Sequence, residues 1–218
     1  MNKERVVKAI TDQGFLPLFF HPDENTSIEI LRVLYSSGIR VVEYTNRGKQ
    51  ALKNFKSLSK ARQDQFPGLT LGLGTVLDSK TCSKAIQYGA DFLVSPGYSK
   101  QLLRYTLSKD ILWIPGCMSP TELIQVHNDE LTLVKLFPAG SLGPSFLKSA
   151  REVFPDLIFM PTGGIEINDI KSWFDAGASA IGMGNSLISK SAMDNRDFES
   201  IRLKINSLIN QIATVRTF

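Results

Sequence analysis

The chain is 218 residues long, 43% hydrophobic and 21% charged, with a formal net charge of +4. This is the composition of an ordinary globular protein, and the length is enough to bury a core without disulfides or metals. Only two cysteines occur, Cys82 and Cys117, with no CxxC pair, which argues against a disulfide framework or a structural zinc site and suits a reducing compartment. No basic run with interleaved aromatics points to nucleic acid. No stretch approaches the ~18 apolar residues of a membrane span, and residues 1–10 lack the apolar centre of a signal peptide. The expectation is a cytoplasmic protein that engages neither nucleic acid nor membrane, with a mild positive charge that fits an anionic substrate.

In chain order, residues 2–13 read as a helix that precedes the first strand and can plug the bottom of a barrel. Short apolar runs then follow at 15–20, 41–44, 69–73, 92–94, 111–114, 131–137, 157–160 and 180–183. Amphipathic stretches lie between them, at 28–37, 51–62, 79–88, 100–107, 121–127, 145–154 and 167–176. Eight strands about 23 residues apart, most of them continuous rather than alternating, predict a single (β/α)8 barrel with both faces of the sheet covered. Residues 198–215 carry Ile201, Ile205, Leu208, Ile209 and Ile212 near helical spacing, which predicts a helix on the barrel wall. No linker or low-complexity segment divides the chain, so residues 1–218 are taken as one domain.

Glycines cluster just past the predicted strands, where the loops of a barrel form its catalytic face. Within that frame a lysine interrupts an apolar strand. Leu133, Lys135 and Phe137 share one face by strand alternation. A charged lysine turned into a barrel suffers a large desolvation penalty, and the neutral amine is the form that attacks a carbonyl. A strand-end lysine that snorkels to water fits the pattern about as well. Glu43 ends another apolar strand and shares a face with Val41 and Thr45; turned inward, it converges on Lys135 and is placed to move protons. Arg47 follows in the loop as a clamp for a carboxylate or phosphate. Thr75 lies just past a strand, within reach of a substrate oxygen, and Asp78 is expected to cap the next helix. The turns Thr162-Gly163-Gly164 and Gly184-Asn185-Ser186 follow the seventh and eighth strands, where barrels bind phosphate on backbone amides, so a sugar phosphate is the natural ligand class.

Histidine is scarce. His21, in His21-Pro22-Asp23-Glu24, is expected in a solvated loop rather than on a metal. Cys117 is expected as a small core or rim residue, not a nucleophile.

At these positions the sequence resembles the 2-keto-3-deoxy-6-phosphogluconate (KDPG) and 4-hydroxy-2-oxoglutarate (KHG) aldolases. The motifs are Glu43-Tyr44-Thr45-Asn46-Arg47, Gly72-Leu73-Gly74-Thr75-Val76, Ser95-Pro96-Gly97-Tyr98, Ile114-Pro115-Gly116-Cys117, Val134-Lys135-Leu136-Phe137-Pro138-Ala139 and Pro161-Thr162-Gly163-Gly164-Ile165, in family order over residues 16–187. The resemblance implies a lyase in which Lys135 forms a Schiff base with a 2-oxo acid and Glu43 is the general acid/base. Arg47, Thr75, Pro96 and Phe137 would line the substrate. Thr162, Gly163, Gly164, Gly184, Asn185 and Ser186 would hold the distal phosphate or carboxylate. It further implies pyruvate as a product, no metal or organic cofactor, and a homotrimer. Asn185 stands where the family commonly has serine, and Tyr44, Asn46 and Tyr98 also depart from its commoner pattern; these differences bear on substrate length and stereochemistry. Two other readings remain open: an aldolase or decarboxylase for a different 2-oxo-3-deoxy sugar acid, and a catalytically silent sugar-phosphate-binding barrel in which Lys135 only neutralises an anion.

Overall fold

The computed structural model of the chain describes residues 2–216. Strands and helices alternate along it: α1 (Lys3–Gln13), β1 (Phe15–Phe19), α2 (Glu24–Ser36), β2 (Val41–Thr45), α3 (Ala51–Gln65), β3 (Thr70–Gly74), α4 (Ser79–Gln87), β4 (Phe92–Val94), α5 (Lys100–Ser108), β5 (Leu112–Ile114), β6 (Gly116–Cys117), α6 (Pro120–Asn128), β7 (Leu133–Leu136), α7 (Ala139–Val153), β8 (Ile158–Pro161), a 3-10 turn (Ile167–Asp169), α8 (Ile170–Asp175), β9 (Ile181–Met183), α9 (Lys190–Asp194) and α10 (Phe198–Val215). Side-chain caps start many of the helices. Asp23, Asp78, Ser99, Ser119, Ser189 and Asp197 each accept a backbone N–H of the first turn, and Ser119 with Glu122 completes a reciprocal capping box. Asp78 thus has the capping role expected of it.

Every strand pair is parallel. The strands form a six-stranded sheet, ordered β5-β4-β3-β2-β1-β9, and a three-stranded sheet, β6-β7-β8. The expected fifth strand, 111–114, is β5, and Pro115 separates it from a further two-residue strand, β6, that was not expected. The two sheets meet there, where Lys135 N–H donates to the Pro115 carbonyl (2.9 Å), and again at a parallel bridge between Thr162 and Gly182. The result is a curled parallel α/β sheet. Its curl shows in the packing: Leu16, Val41, Phe92, Val94, Leu112, Ile114, Leu133, Met160 and Ala180, from both sheets, form one inner cluster. Val6 and Ile10 of α1 belong to the same cluster, so the N-terminal helix is the plug its position suggested. Alternate strand residues, among them Phe19, Tyr44, Leu73, Leu93, Trp113, Val134 and Phe159, pack outward in a second core beneath the helices.

The other helix expectations hold with local differences. The seventh amphipathic stretch divides into the 3-10 turn and α8. Helix α7 begins earlier than the pattern indicated and is kinked at Gly143, which precedes Pro144. In α10, Ile201, Ile205, Leu208 and Ile212 are buried, and the helix packs against α2 and α8.

Candidate active site

Lys135 and Glu43 both continue the inner face. Lys135 follows Leu133 by two residues on β7, and Glu43 follows Val41 by two on β2, so alternation carries each into the curl, towards the C-terminal ends of the strands. Lys135 is 4% exposed, Glu43 0%. The snorkelling alternative for Lys135 is therefore excluded by its burial. Its Nζ lies 5.1 Å from the centre of the Phe137 ring, and it enters none of the ion pairs found among the described residues.

Glu43 is fixed by strand register, opposite Leu18 on β1 and Gly72 on β3. Its side chain lies over Gly74: a Cβ built there would overlap Oε1 and stand 2.5 Å from Cδ. Neither carboxylate oxygen has a hydrogen-bond partner among the described residues. A buried, unpartnered carboxylate costs several kcal/mol (, about the effective penalty per ion), and folded chains satisfy nearly all buried polar groups. This one is spent on something other than stability.

Next to Gly74, Thr75 takes a positive φ of 57°. A β-branched residue in that region is strained by roughly 1–3 kcal/mol. The strain is held by the strands around it: Asn46 N–H donates to the Gly74 carbonyl (2.8 Å) and Val76 N–H to that of Val94 (3.0 Å). Arg47, one loop away, is exposed and in no ion pair among the described residues. The Phe20 ring packs on that loop, 2.6 Å from where a Cβ on Gly48 would stand. Pro96 and Phe137 are half-buried just past β4 and β7.

The two glycine turns sit side by side. Gly163 and Gly164 have φ of 88° and 73°, open to glycine and strained for other residues. The carbonyls of Thr162 and Gly163 accept the first amides of α7, from Ala139 (2.9 Å) and Gly140 (2.8 Å). Thr162 is buried and donates its hydroxyl to the Met160 carbonyl (3.2 Å). In the second turn the Gly184 carbonyl accepts from Leu187 and Ile188. Ser186 donates its hydroxyl to the Ile165 carbonyl (2.9 Å), which ties the turns together and engages its proton. Asn185 accepts Lys190 N–H on Oδ1 (3.0 Å), leaving its NH2 as the donor.

Several residues fall elsewhere than the sequence indicated. His21 is not in a solvated loop: it is 9% exposed, and its ring contacts Asp23 and Asp194. Tyr44 and Tyr98 do not face the inner cluster. Tyr44 lies in the outer core with its hydroxyl on the His21 carbonyl (2.9 Å). Tyr98 bonds Asp129 and packs near Trp113. Cys117, by contrast, is the core residue expected: it belongs to the outer core, where burial first and Glu122 second push its thiol up to about 12, so it is inert as a nucleophile near neutral pH. Thr45, buried with its hydroxyl on the Phe19 carbonyl (3.3 Å), was not singled out, although its alternation with Glu43 placed it on the same face. No group of three or more His, Cys, Asp or Glu side chains suited to a metal ion occurs among the described residues. A groove of about 990 Å³ lies at the opposite end of the sheet, around α1, and contains none of these residues.

The family model described as KDPG and KHG aldolase matches residues 6–203. The chain is 30% identical to the 2-dehydro-3-deoxy-phosphogluconate aldolase of Pseudomonas aeruginosa over 213 residues, 97% of this chain and 95% of that one. It is 29% identical to the KHG/KDPG aldolase of Escherichia coli (strain K12), over 91% of this chain and 92% of that one. Among solved structures, the KDPG aldolase of Legionella pneumophila, with pyruvate captured at low pH as a covalent carbinolamine intermediate, superposes with a TM-score of 0.86 at 25% identity, covering 93% of this chain and 97% of that one. No helix among the described residues is long and apolar enough to cross a membrane.

Proposed function

The chain belongs to the KDPG and KHG aldolase family, and on that premise we propose that it is a Schiff-base lyase, cleaving 2-keto-3-deoxy-6-phosphogluconate to pyruvate and glyceraldehyde 3-phosphate, or 4-hydroxy-2-oxoglutarate to pyruvate and glyoxylate. The observation that carries this reading is the inner face itself: a lysine 4% exposed and a fully buried, unpartnered carboxylate, both just beyond an otherwise apolar cluster.

Neutral Lys135 attacks the C2 ketone to give a carbinolamine. Glu43, through a water molecule, supplies the proton with which hydroxide leaves as water. The iminium that results is the electron sink. Removal of the C4 hydroxyl proton lets the C3–C4 pair flow into it, releasing the aldehyde and leaving an enamine on Lys135. Protonation at C3 and hydrolysis free pyruvate and restore the amine. Arg47, Thr75, Pro96 and Phe137 line the 2-oxo acid. The turns at Thr162, Gly163 and Gly164 and at Gly184, Asn185 and Ser186 take the distal anion on backbone and side-chain donors. These steps use only the chain's own side chains, the substrate and water.

Three further readings accompany this one. The two sheets are taken as a single closed (β/α)8 barrel in one domain, 1–218, supported by the Pro115 and Thr162–Gly182 junctions. A homotrimer is supported by the family resemblance, and light scattering at three times the 24.2 kDa chain mass tests it. The cytoplasm suits two free, buried thiols.

Incubation with pyruvate, borohydride reduction and mapping of the adduct by mass spectrometry tests the central claim. An adduct on Lys135 is expected, and its absence sinks the Schiff-base mechanism. An adduct with no aldehyde released from any 2-oxo-3-deoxy acid refutes the aldolase and leaves a decarboxylase.

A further inference from the structure

His21 stands in the turn after β1, anchored through its main chain. Its carbonyl accepts from the Tyr44 hydroxyl (2.9 Å) and the Asn54 amide (3.1 Å), both buried. Nδ1 of the ring accepts Asp23 N–H (3.2 Å), so the ring proton resides on Nε2. Nε2 lies 3.4 Å from Oδ1 of Asp194. Asp194 is the last residue of α9, and Lys190, the first, donates its N–H to Asn185 Oδ1 (3.0 Å). A continuous path therefore runs from the turn after β1, across α9, to the turn after β9. No residue on it was a site candidate in the sequence except Asn185.

We infer that His21 is a positioning residue for the distal anion of the substrate: its imidazole holds Asp194, and α9 transmits that hold to the Asn185 amide. This rests on the role proposed above for the turn after β9. The path selects an orientation. With Oδ1 held by Lys190 N–H, Asn185 presents its NH2, a donor, where the flipped amide would present an oxygen and repel an anion. Among the described residues, no other hydrogen bond holds the Asn185 side chain. α9 is short but seated, with Ala192 and Met193 buried, so release of Asp194 loosens its end without unfolding it.

The test compares His21→Ala and Asp194→Ala with the unsubstituted enzyme. Asp194 is 46% exposed, so its variant folds even if that of His21 does not. Two measurements are made: KM and kcat for the phosphorylated substrate, and the pyruvate concentration that gives half-maximal inactivation by borohydride. Pyruvate carries no distal anion. The expected result is a KM raised about three- to fivefold, the range of a partly exposed pair, with kcat within about twofold and the pyruvate response unchanged. Equal changes in KM and the pyruvate response, or no change in either, overturns the positioning role. If the unsubstituted enzyme forms no borohydride adduct with pyruvate, the aldolase reading beneath it is what fails.

Discussion

Gly74 of β3 and Glu43 of β2 are fitted to each other: the carboxylate occupies the space a Cβ on the glycine would need. The neighbour that must give way is the far end of the side chain proposed as the acid/base. Gly74→Ala is therefore expected to move Glu43 while preserving the fold. A displacement on the order of 1 Å costs about 100-fold in rate. Steady-state kinetics should show that loss in kcat, with pyruvate still trapped on Lys135. A kcat equal to that of the unsubstituted enzyme would remove Glu43 from the mechanism.

Lys135→Met should abolish both turnover and borohydride trapping, since no other amine among the described residues shares the inner face at that depth. Glu43→Gln should slow turnover by about 10²- to 10⁴-fold, the usual share of a general acid/base, while some trapping survives. Full turnover in either variant contradicts the assignment.

The plug can be separated from the chemistry. Ile10 is fully buried against the inner cluster at the end opposite Lys135 and Glu43. Ile10→Ala should cost about 2–5 kcal/mol of stability, read as a lower urea midpoint, with kcat per folded molecule unchanged. A fall in kcat without a fall in stability would show that the plug reaches the site.

Alkaline pH should destabilise the fold through groups outside the site. Burial holds the thiols of Cys82 and Cys117 up at about 11 and about 12, and burial with Asp129 holds Tyr98 at about 12. All three folded values lie above the ordinary ones. The folded chain thus keeps protons that the unfolded chain releases first, and stability present below about pH 9 is lost as pH rises towards 12. The urea midpoint should drop between pH 9 and 11, and Cys117→Ala should make that slope shallower. An unchanged slope would assign the alkaline loss to other groups.

Strand positions were legible because both faces of a parallel sheet are buried, which writes each strand as a continuous apolar run. Lys135 and Glu43 were legible for the same reason, as charges breaking such runs. The short strand β6 after Pro115 was not, because Gly116 and Cys117 are too few for an apolar run or alternation to show, and only their pairing with β7 makes them a strand. Helix α9 has five residues, too few for a period to emerge. The burial of His21 depends on Tyr44, Asn54 and Asp194, partners distant in sequence, and so does the engagement of Ser186 by Ile165. Local pattern identified which residues carry charge and hydrogen-bonding groups; it could not say which of those groups the fold had already used.

The stopper formed by α1 has a practical corollary. Because Val6 and Ile10 close the end of the curl away from Lys135, a tether or a carrier protein joined ahead of α1 leaves the catalytic mouth facing outward. Immobilised by that end, the enzyme should turn over substrate on a surface as it does in solution, whereas attachment through Arg47 would crowd the loop proposed to hold the substrate.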